Sequence, residues 1–401
     1  MDHPLRSCLS SIASLPETWA EARLSAWRAH EICTIVMVYS KNHLPFLTAA
    51  NPRARHNKNY YTHRHTAWFM RYLGHLSADD PLYGYLRDDI FPQIGVRARS
   101  PGFRVYQLPA SNHVYLYEDE RSQTRVIGKF FGGLPGLDPR TATRHMDREF
   151  SNLTYLRSIG FTGYPHYVAR PLGRNASLNN VLVEEFCYGT SFATFIVNAI
   201  RNGARDVLFE KLAALAYFLA TLHNRTVHEH TVDFTKDCAY FDHILNNLHD
   251  AGRAGPDEVR QFRQLKENWV RQSCMWEDRQ VVVHSDVTPP NILFGDGLWV
   301  IVIDLERMKL ADRVFDLGRV VGELQHFFIQ YANDKWLAEP FIGHFLWEYA
   351  CHFPNRDAAF ASITCRVPFY AGLTLLRIAR NGWIGGHYSR RLLDEANKTL
   401  G

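Results

Sequence analysis

The sequence predicts an α+β fold with two lobes, a small one built on an antiparallel sheet and a larger, mainly helical one. Segments rich in β-branched and aromatic residues come early, at 103–106, 114–117 and 125–131, and helical patterns dominate from residue 190 onward. Strands grouped before helices are typical of an α+β chain. With 401 residues, of which 46% are hydrophobic, the chain is long enough to bury a large core, which excludes a disordered protein.

Residues 1–95 are predicted to form a helical extension that docks on the lobes. Pro16 and the residues after it have the pattern of a helix start, and further helical stretches are expected near 58–74 and 80–90. The small lobe is predicted to span residues 96–186. Its three early segments are separated by turn-forming residues, so we expect consecutive antiparallel strands.

The rest of the small lobe and the large lobe follow in order. A helix is expected over about 139–158, and another strand at 181–186 completes the small lobe. The large lobe is predicted to span residues 187–401 and to contain the catalytic and metal-binding loops. Its helices are interrupted by strand-like segments, at 280–283, 291–294 and 299–303.

Charge and cysteine content narrow the class of protein. The formal net charge of +4 at pH 7 is a weak excess over 401 residues and does not indicate nucleic-acid binding. Seven Cys residues, widely spaced and without a C-x-x-C pair, favour a reducing compartment over a disulfide framework or a zinc site. The longest apolar stretch, 32–39, is far shorter than the ~20 residues of a membrane span, and no signal-peptide pattern opens the sequence. We therefore expect a cytoplasmic protein with no transmembrane segment.

The most informative residues lie between 281 and 306. An apolar strand leads into His284-Ser285-Asp286, Asn291 follows five positions after Asp286, and a second apolar strand leads into Asp304. Each polar residue alone would more often be a turn former or a strand cap. Together they supply what phosphoryl transfer needs: a carboxylate to orient and deprotonate a hydroxyl, and an amide oxygen with a second carboxylate to hold Mg²⁺.

These segments resemble the aminoglycoside phosphotransferase and choline kinase superfamily, which has the protein-kinase-like fold. The resemblance implies that Asp286 is the catalytic base and that Asn291 and Asp304 bind the metal. It also covers Asp316, in an Asp-x-x-x-Asp-Leu segment, and it makes His284 a structural residue that holds the loop by a backbone hydrogen bond. Ser285 stands where the commoner family form has Gly. Protein kinases carry Arg at that position and Phe-Gly after the metal-binding Asp, so the small-molecule branch is favoured.

The resemblance also implies a nucleotide site in the small lobe. Lys129 lies on the third strand and Glu149 in the following helix, and we expect an ion pair that points the ammonium at the ATP phosphates. The alternatives are an edge-strand lysine and a solvated helix glutamate. Ser111 and Asn112 resemble the short loop that covers the nucleotide. Glu184 and Phe186 lie at the end of a strand, where a hinge would bind adenine through its backbone.

The sequence thus predicts an ATP- and Mg²⁺-dependent phosphotransferase that acts on a hydroxyl of a small molecule: a sugar, an amino alcohol, an antibiotic or a lipid-linked glycan. The segment 320–401 is not notably acidic, which favours a neutral or anionic acceptor over a polycation. The alternative is a catalytically idle nucleotide-binding module whose extension, residues 1–95, binds a partner.

Overall fold

The computed structural model describes residues 70–97, 99–108, 113–134 and 136–401. Within them, a six-stranded sheet forms the small lobe, in the order β1-β2-β3-β4-β8-β7, and every pair of neighbours in it is antiparallel. Its strands are β1 (Arg71–His75), β2 (Phe103–Gln107), β3 (His113–Asp119), β4 (Arg125–Phe130), β7 (Pro171–Asn175) and β8 (Val181–Glu185). The predicted antiparallel sheet of the small lobe is confirmed.

The segment before β2 covers one face of this sheet. Helix α1 (Pro81–Tyr85) and the turns that continue it to Ile94 bury Leu86, Ile90 and Phe91 against Phe103 of β2. This part of the predicted extension packs on the small lobe, and a helix is present within the stretch expected near 80–90. Residues 1–69, which include the predicted helix start at Pro16, lie outside the described residues.

One helical prediction is wrong where the structure describes it. The stretch expected near 58–74 reaches Arg71–His75, which is strand β1 and not a helix. This strand pairs with β2, and the register shifts between Tyr72 and Gly74, where Gly74 has a φ of +114°. An open edge of β2 offers backbone donors and acceptors, so pairing there outweighs the local helical pattern.

The other face of the sheet packs against helix α2 (Pro139–Ser158), as predicted. The Asp138 side chain accepts hydrogen bonds from the backbone N–H groups of Arg140 and Thr141, and Pro139 occupies the first turn, so the helix start is well capped. Met146, Glu149 and Leu153 lie on the buried face of α2. Glu149 is therefore carried into the interior by the same helical periodicity as the apolar residues.

The large lobe is mainly helical, as predicted. Its helices are α3 (Phe192–Asn202), α4 (Arg205–Arg225), α5 (Phe234–Asp250), α6 (Pro256–Val270), α7 (Val314–Ala332), α8 (Glu339–Ala350), α9 (Arg356–Thr364), α10 (Val367–Ala379) and α11 (Gly386–Leu400). Helices α7 and α10 pack with their backbones close together, because Gly318 and Gly322 of α7 leave room for Tyr370 and Thr374 of α10. This close packing brings the polar residues of both helices together.

Short strands of the large lobe hold the predicted motifs. They are β5 (Thr162–Gly163), β6 (His166–Val168), β9 (Thr190–Ser191), β10 (Val281–Val283), β11 (Ile292–Phe294), β12 (Val300–Val302) and β13 (Lys309–Ala311). β11 and β12 are antiparallel, with Ile292 opposite Val302, and β10 pairs with β13. Asn291 precedes β11 and Asp304 follows β12, so antiparallel pairing places both residues at the same end of the strand pair.

Within the described part of the chain, no single helix has the length and apolar composition to cross a membrane. Helices α9 and α10, which bend by 43° at their junction, satisfy that test as a pair, by length and composition only.

Candidate active site

Lys129 lies at the centre of a buried ion cluster between the two lobes. Its Nζ is 2.5 Å from Glu149 Oε1, 3.2 Å from Glu184 Oε1 and 3.7 Å from Asp304 Oδ1. β4 supplies the lysine, α2 and β8 supply the two glutamates, and Asp304 comes from the large lobe. The expected contact between Lys129 and Glu149 is therefore present, and it extends to a carboxylate across the cleft.

One ammonium among three carboxylates leaves the cluster with excess negative charge. Burial disfavours the charged lysine, but Glu149, Glu184 and Asp304 outweigh burial and hold the pKa of Lys129 well above its usual value. Burial also raises the pKa of Glu149, and the neighbouring carboxylates add to that effect against the attraction of Lys129. Lys129 thus stays positive at physiological pH, and the remaining negative charge suits a cation.

The loop at 284–286 is held in place by Asp316, which is fully buried in the first turn of α7. The backbone N–H groups of His284 and Ser285 donate to the two oxygens of Asp316, each at 2.8 Å. His223 Nε2 lies 3.3 Å from the same carboxylate. The carboxylate therefore holds two consecutive residues of the loop through charge-assisted hydrogen bonds.

The His284 ring ties the loop to the strand that ends at Asp304. Its Nδ1 accepts from the backbone N–H of Asp286 at 3.2 Å, and its Nε2 donates to the carbonyl oxygen of Ile303 at 3.2 Å. This pattern assigns the proton to Nε2. The ring thus spaces Asp286 relative to Asp304 and is fully buried, which is the structural position expected for His284.

Two site residues adopt left-handed backbone conformations. φ is +70° at Ser285 and +64° at Asp304. Glycine reaches this region without steric cost, whereas other residues pay ~1–2 kcal/mol; at Ser285 the hydrogen bond from the backbone N–H to Asp316 offsets part of this cost. The geometry explains why a glycine would suit position 285, and it turns Asp286 and Asp304 away from their strands toward the cleft.

Asp286 is largely buried beside arginines. Its Oδ1 is 2.5 Å from Arg377 Nη2 of α10, and its Oδ2 is 3.8 Å from Arg307 Nε. Burial alone would raise the pKa of Asp286, but Arg377, Arg319 and Arg307 outweigh it and hold the pKa below its usual value. The carboxylate is therefore ionised, and the ion pair with Arg377 lowers its basicity.

The two residues predicted to bind a metal, Asn291 and Asp304, each offer a side-chain oxygen. Asn291 Nδ2 donates to the backbone carbonyl of Asp286 at 3.0 Å, which leaves the amide oxygen as the atom to offer a cation. Carboxylate oxygens of Asp304, Glu149 and Glu306 all lie within 4.8 Å of one another. Carboxylate and amide oxygens are the donors that Mg²⁺ prefers, so this set fits Mg²⁺.

The remaining predicted nucleotide residues are placed as follows. Glu184 lies within β8, where its carboxylate turns inward to Lys129. Phe186 follows β8, and its ring packs edge-on against Tyr188 at 4.9 Å between centroids. Ser111 and Asn112 lie outside the described residues.

Sequence reasoning missed Glu306 and Arg377 as site residues, and it missed the contact of Glu184, a predicted nucleotide residue, with Lys129. Glu306 stands two positions after Asp304, a spacing that could have marked it. The contact between Glu184 and Lys129 could have been predicted from the pairing of their strands. Leu182 is opposite Lys129 in the β4–β8 pairing, so the alternation of the strand puts Glu184 diagonally next to Lys129 on the same face. Arg377, by contrast, lies 91 residues after Asp286, and no local pattern points to it.

The two lobes define a protein-kinase-like fold, with the lysine–glutamate pair in the small lobe and Asp286, Asn291 and Asp304 in the large lobe. Over residues 103–350 the chain matches the family described as Phosphotransferase enzyme family. The chain belongs to this phosphotransferase family. A comparison with curated protein sequences gave no match.

A comparison with solved structures gave matches at low sequence identity. An ethanolamine kinase from Plasmodium vivax is 13% identical, with a TM-score of 0.53 over 80% of this chain and 87% of that one. A choline kinase from Cryptosporidium parvum is 11% identical, with a TM-score of 0.49 over 80% of this chain and 92% of that one. The gentamicin-APH(2″)-IIa complex is 12% identical, with a TM-score of 0.47 over 81% and 96%. The ethanolamine kinase supports the protein-kinase-like fold.

Proposed function

We propose that this protein transfers the γ-phosphoryl group of ATP, in the presence of Mg²⁺, to a hydroxyl group of a small molecule in the cytoplasm. The observation that carries the proposal is the ion cluster that joins the lobes, in which Lys129 contacts Glu149 and lies 3.7 Å from Asp304. Such a cluster would hold the ATP phosphates on one side and their metal on the other.

Each residue in the proposal has one task. Lys129, oriented by Glu149, binds phosphate oxygens. Asn291 and Asp304 would hold Mg²⁺, which supplies charge neutralisation at the phosphates when bound. Asp286 orients the acceptor hydroxyl and takes its proton, while the hydroxyl oxygen bonds to the γ-phosphorus and ADP leaves with the electron pair of the broken P–O bond.

The charge of the site supports a metal–nucleotide complex over a free anion. Three carboxylates, from Glu149, Glu184 and Asp304, surround the single ammonium of Lys129. A bare triphosphate would meet net repulsion there, whereas a divalent cation on Asp304 would neutralise the excess negative charge. We therefore expect nucleotide binding to depend on Mg²⁺.

A thermal-shift titration tests the metal site. Mg-ATP is expected to raise the melting temperature of the wild type, and Asp304→Ala is expected to abolish the Mg²⁺-dependent part of that rise. Asp296→Ala is the matched control, because Asp296 is an exposed aspartate in the turn between β11 and β12, the strand pair that Asp304 follows. An unchanged Mg-ATP response in Asp304→Ala would remove Asp304 from the metal site.

An ATP-consumption screen over hydroxylated metabolites tests the reaction. The Asp286→Asn variant serves as the blank, because the amide keeps the shape of the side chain but cannot take a proton. Consumption that requires both an acceptor and Asp286 supports the phosphotransferase. Binding of Mg-ATP without turnover on any acceptor would favour the idle nucleotide-binding module.

A further inference from the structure

Three arginines lie around Asp286 on the side of the large lobe, and a fourth, Arg380, lies near two of them. We call Arg307, Arg319, Arg377 and Arg380 the arginine group. Arg377 is ion-paired with Asp286 at 2.5 Å and lies 3.7 Å from Glu323 Oε1 through its Nη1. The side chain of Arg307, half exposed to solvent, reaches Asp286 at 3.8 Å. The group thus lies next to the carboxylate proposed as the base, and part of it is open to solvent.

The arginine group has fewer counter-ions than charges. Three carboxylates, of Asp286, Glu306 and Glu323, face four guanidinium groups. Burial raises the pKa of Glu323 to about 7, so near neutral pH that carboxyl is only partly ionised. The pKa of Arg380 is lowered, by burial first and then by the neighbouring Arg377 and Arg307. The arginine group therefore carries a net positive charge.

Tyr240 lies close enough to the arginine group for its pKa to be affected. Burial alone would raise the pKa of this phenol, but Arg319, Arg377 and Arg380 outweigh burial and lower it. The Tyr240 ring packs on Phe315 at 6.2 Å, and the Arg319 guanidinium lies 5.6 Å from the centre of the same Phe315 ring. Four side chains from α5, α7 and α10 thus share one positive region.

Arg319 carries unmet hydrogen-bonding capacity inside this region. Only 2% of the residue is exposed, and its Nε and Nη1 have no hydrogen-bond partner among the described residues. A buried guanidinium with two unused donors is costly unless a ligand supplies the acceptors. Planar, forked donors of this kind match the oxygens of phosphate and carboxylate groups.

From this juxtaposition we infer that the acceptor is a hydroxylated small molecule that carries an anionic group, a phosphate or a carboxylate, and that the arginine group binds this anion beside Asp286. The inference rests on the proposed function and narrows its acceptor class. It excludes a polycationic acceptor, because such a molecule would meet the arginines directly.

Anion binding is tested with inorganic phosphate as the probe. The protein is first saturated with Mg²⁺ and a non-hydrolysable ATP analogue, which fills the γ-phosphate position, and its melting temperature is then followed against phosphate, with sodium chloride at equal ionic strength as reference. The wild type is expected to show a saturable rise. Arg380→Gln is expected to weaken phosphate binding by about tenfold to a hundredfold. Arg356→Gln, at a partly exposed arginine of α9, is the matched control and should bind as the wild type does.

Two results would overturn the inference. One is a rise in melting temperature with phosphate that occurs only when the ATP analogue is absent, because phosphate would then be binding in the nucleotide site. The other is phosphate binding of equal strength in the wild type and Arg380→Gln. Half-buried Arg380 is preferred to Arg319 for this test, because replacing the fully buried Arg319 risks unfolding the lobe.

Turnover measurements distinguish a phosphate from a carboxylate on the acceptor. They also test this inference separately from the proposed function. ATP consumption is compared for sugars against their phosphate esters and for polyols against the matching hydroxycarboxylic acids. Preference for the esters assigns a phosphate, and preference for the acids assigns a carboxylate. Turnover confined to neutral or cationic acceptors, unchanged in Arg380→Gln, would refute the anionic acceptor while leaving the phosphotransferase intact. Failure of Mg-ATP to stabilise the protein would instead refute the proposed function.

Discussion

Removal of the Asp316 carboxylate should loosen the loop that carries Asp286. Asp316 accepts one hydrogen bond from the backbone of His284 and one from that of Ser285, each at 2.8 Å, in a site with no solvent exposure. A hydrogen bond to a charged group contributes ~1.5–3 kcal/mol, so losing two costs about 3–6 kcal/mol. Asp316→Ala is therefore expected to lower the free energy of unfolding by this amount.

The measurement is urea denaturation followed by tryptophan fluorescence, with hydrogen exchange at the amides of His284 and Ser285 as a local readout. Asp316→Asn keeps one acceptor oxygen, so it should lose about half as much stability. Asp257→Ala, which removes an exposed carboxylate beside Arg260, is the control and should cost no more than ~1 kcal/mol. A loss below ~1 kcal/mol in Asp316→Ala, with unchanged exchange at both amides, would refute the reasoning.

Three further predictions concern charges at the site. Lys129→Met leaves the buried carboxylates of Glu149 and Glu184 without their cation. We therefore expect the free energy of unfolding in urea to fall by ~3–5 kcal/mol and calorimetry to show weaker Mg-ATP binding. The control Lys398→Met, at an exposed lysine, should change neither quantity. Asp286→Asn should lower turnover by ~10²–10⁴-fold with nucleotide affinity nearly unchanged, and an equal loss of both would make Asp286 a structural residue. Burial raises the pKa of Glu323 from 4.5 to about 7, so the stability that its neutral form contributes is complete below pH 4.5 and lost as the pH rises to about 7. Glu323→Gln should remove this pH-dependent loss of stability. If the urea midpoints of the variant and the wild type differed by a constant amount from pH 5 to 8, the prediction would be contradicted.

Much of the fold follows from local sequence patterns. The segments at 103–131 and 181–186 alternate with the period of a strand, and the helix after Asp138 has both a cap and an apolar face, so all were found. The helix expected near 58–74 failed at Arg71–His75, because the open edge of β2 decides the conformation there. Pairing with an edge that lies about 30 residues away leaves no local pattern to detect.

The candidate site divides in the same way. Asp286, Asn291 and Asp304 lie within 19 positions of one another, and Asn291 and Asp304 flank two paired strands, so their joint spacing carries information. The arginine group has no such spacing. It forms only because α7 and α10 pack backbone to backbone at Gly318 and Gly322. A single arginine in a helix is more often a solvent-facing charge, and tertiary packing alone distinguishes the two cases.

The ion pair between Asp286 and Arg377 has a consequence for protein synthesis. The two residues are 91 positions apart, so the loop bearing Asp286 is made roughly 5–20 s before its partner at ribosomal rates. During that interval the nascent chain holds a carboxylate without the arginine that will neutralise it. The packing of α10 onto α7 completes this charge balance, so the site acquires its resting state only when one of the last helices in the chain has folded.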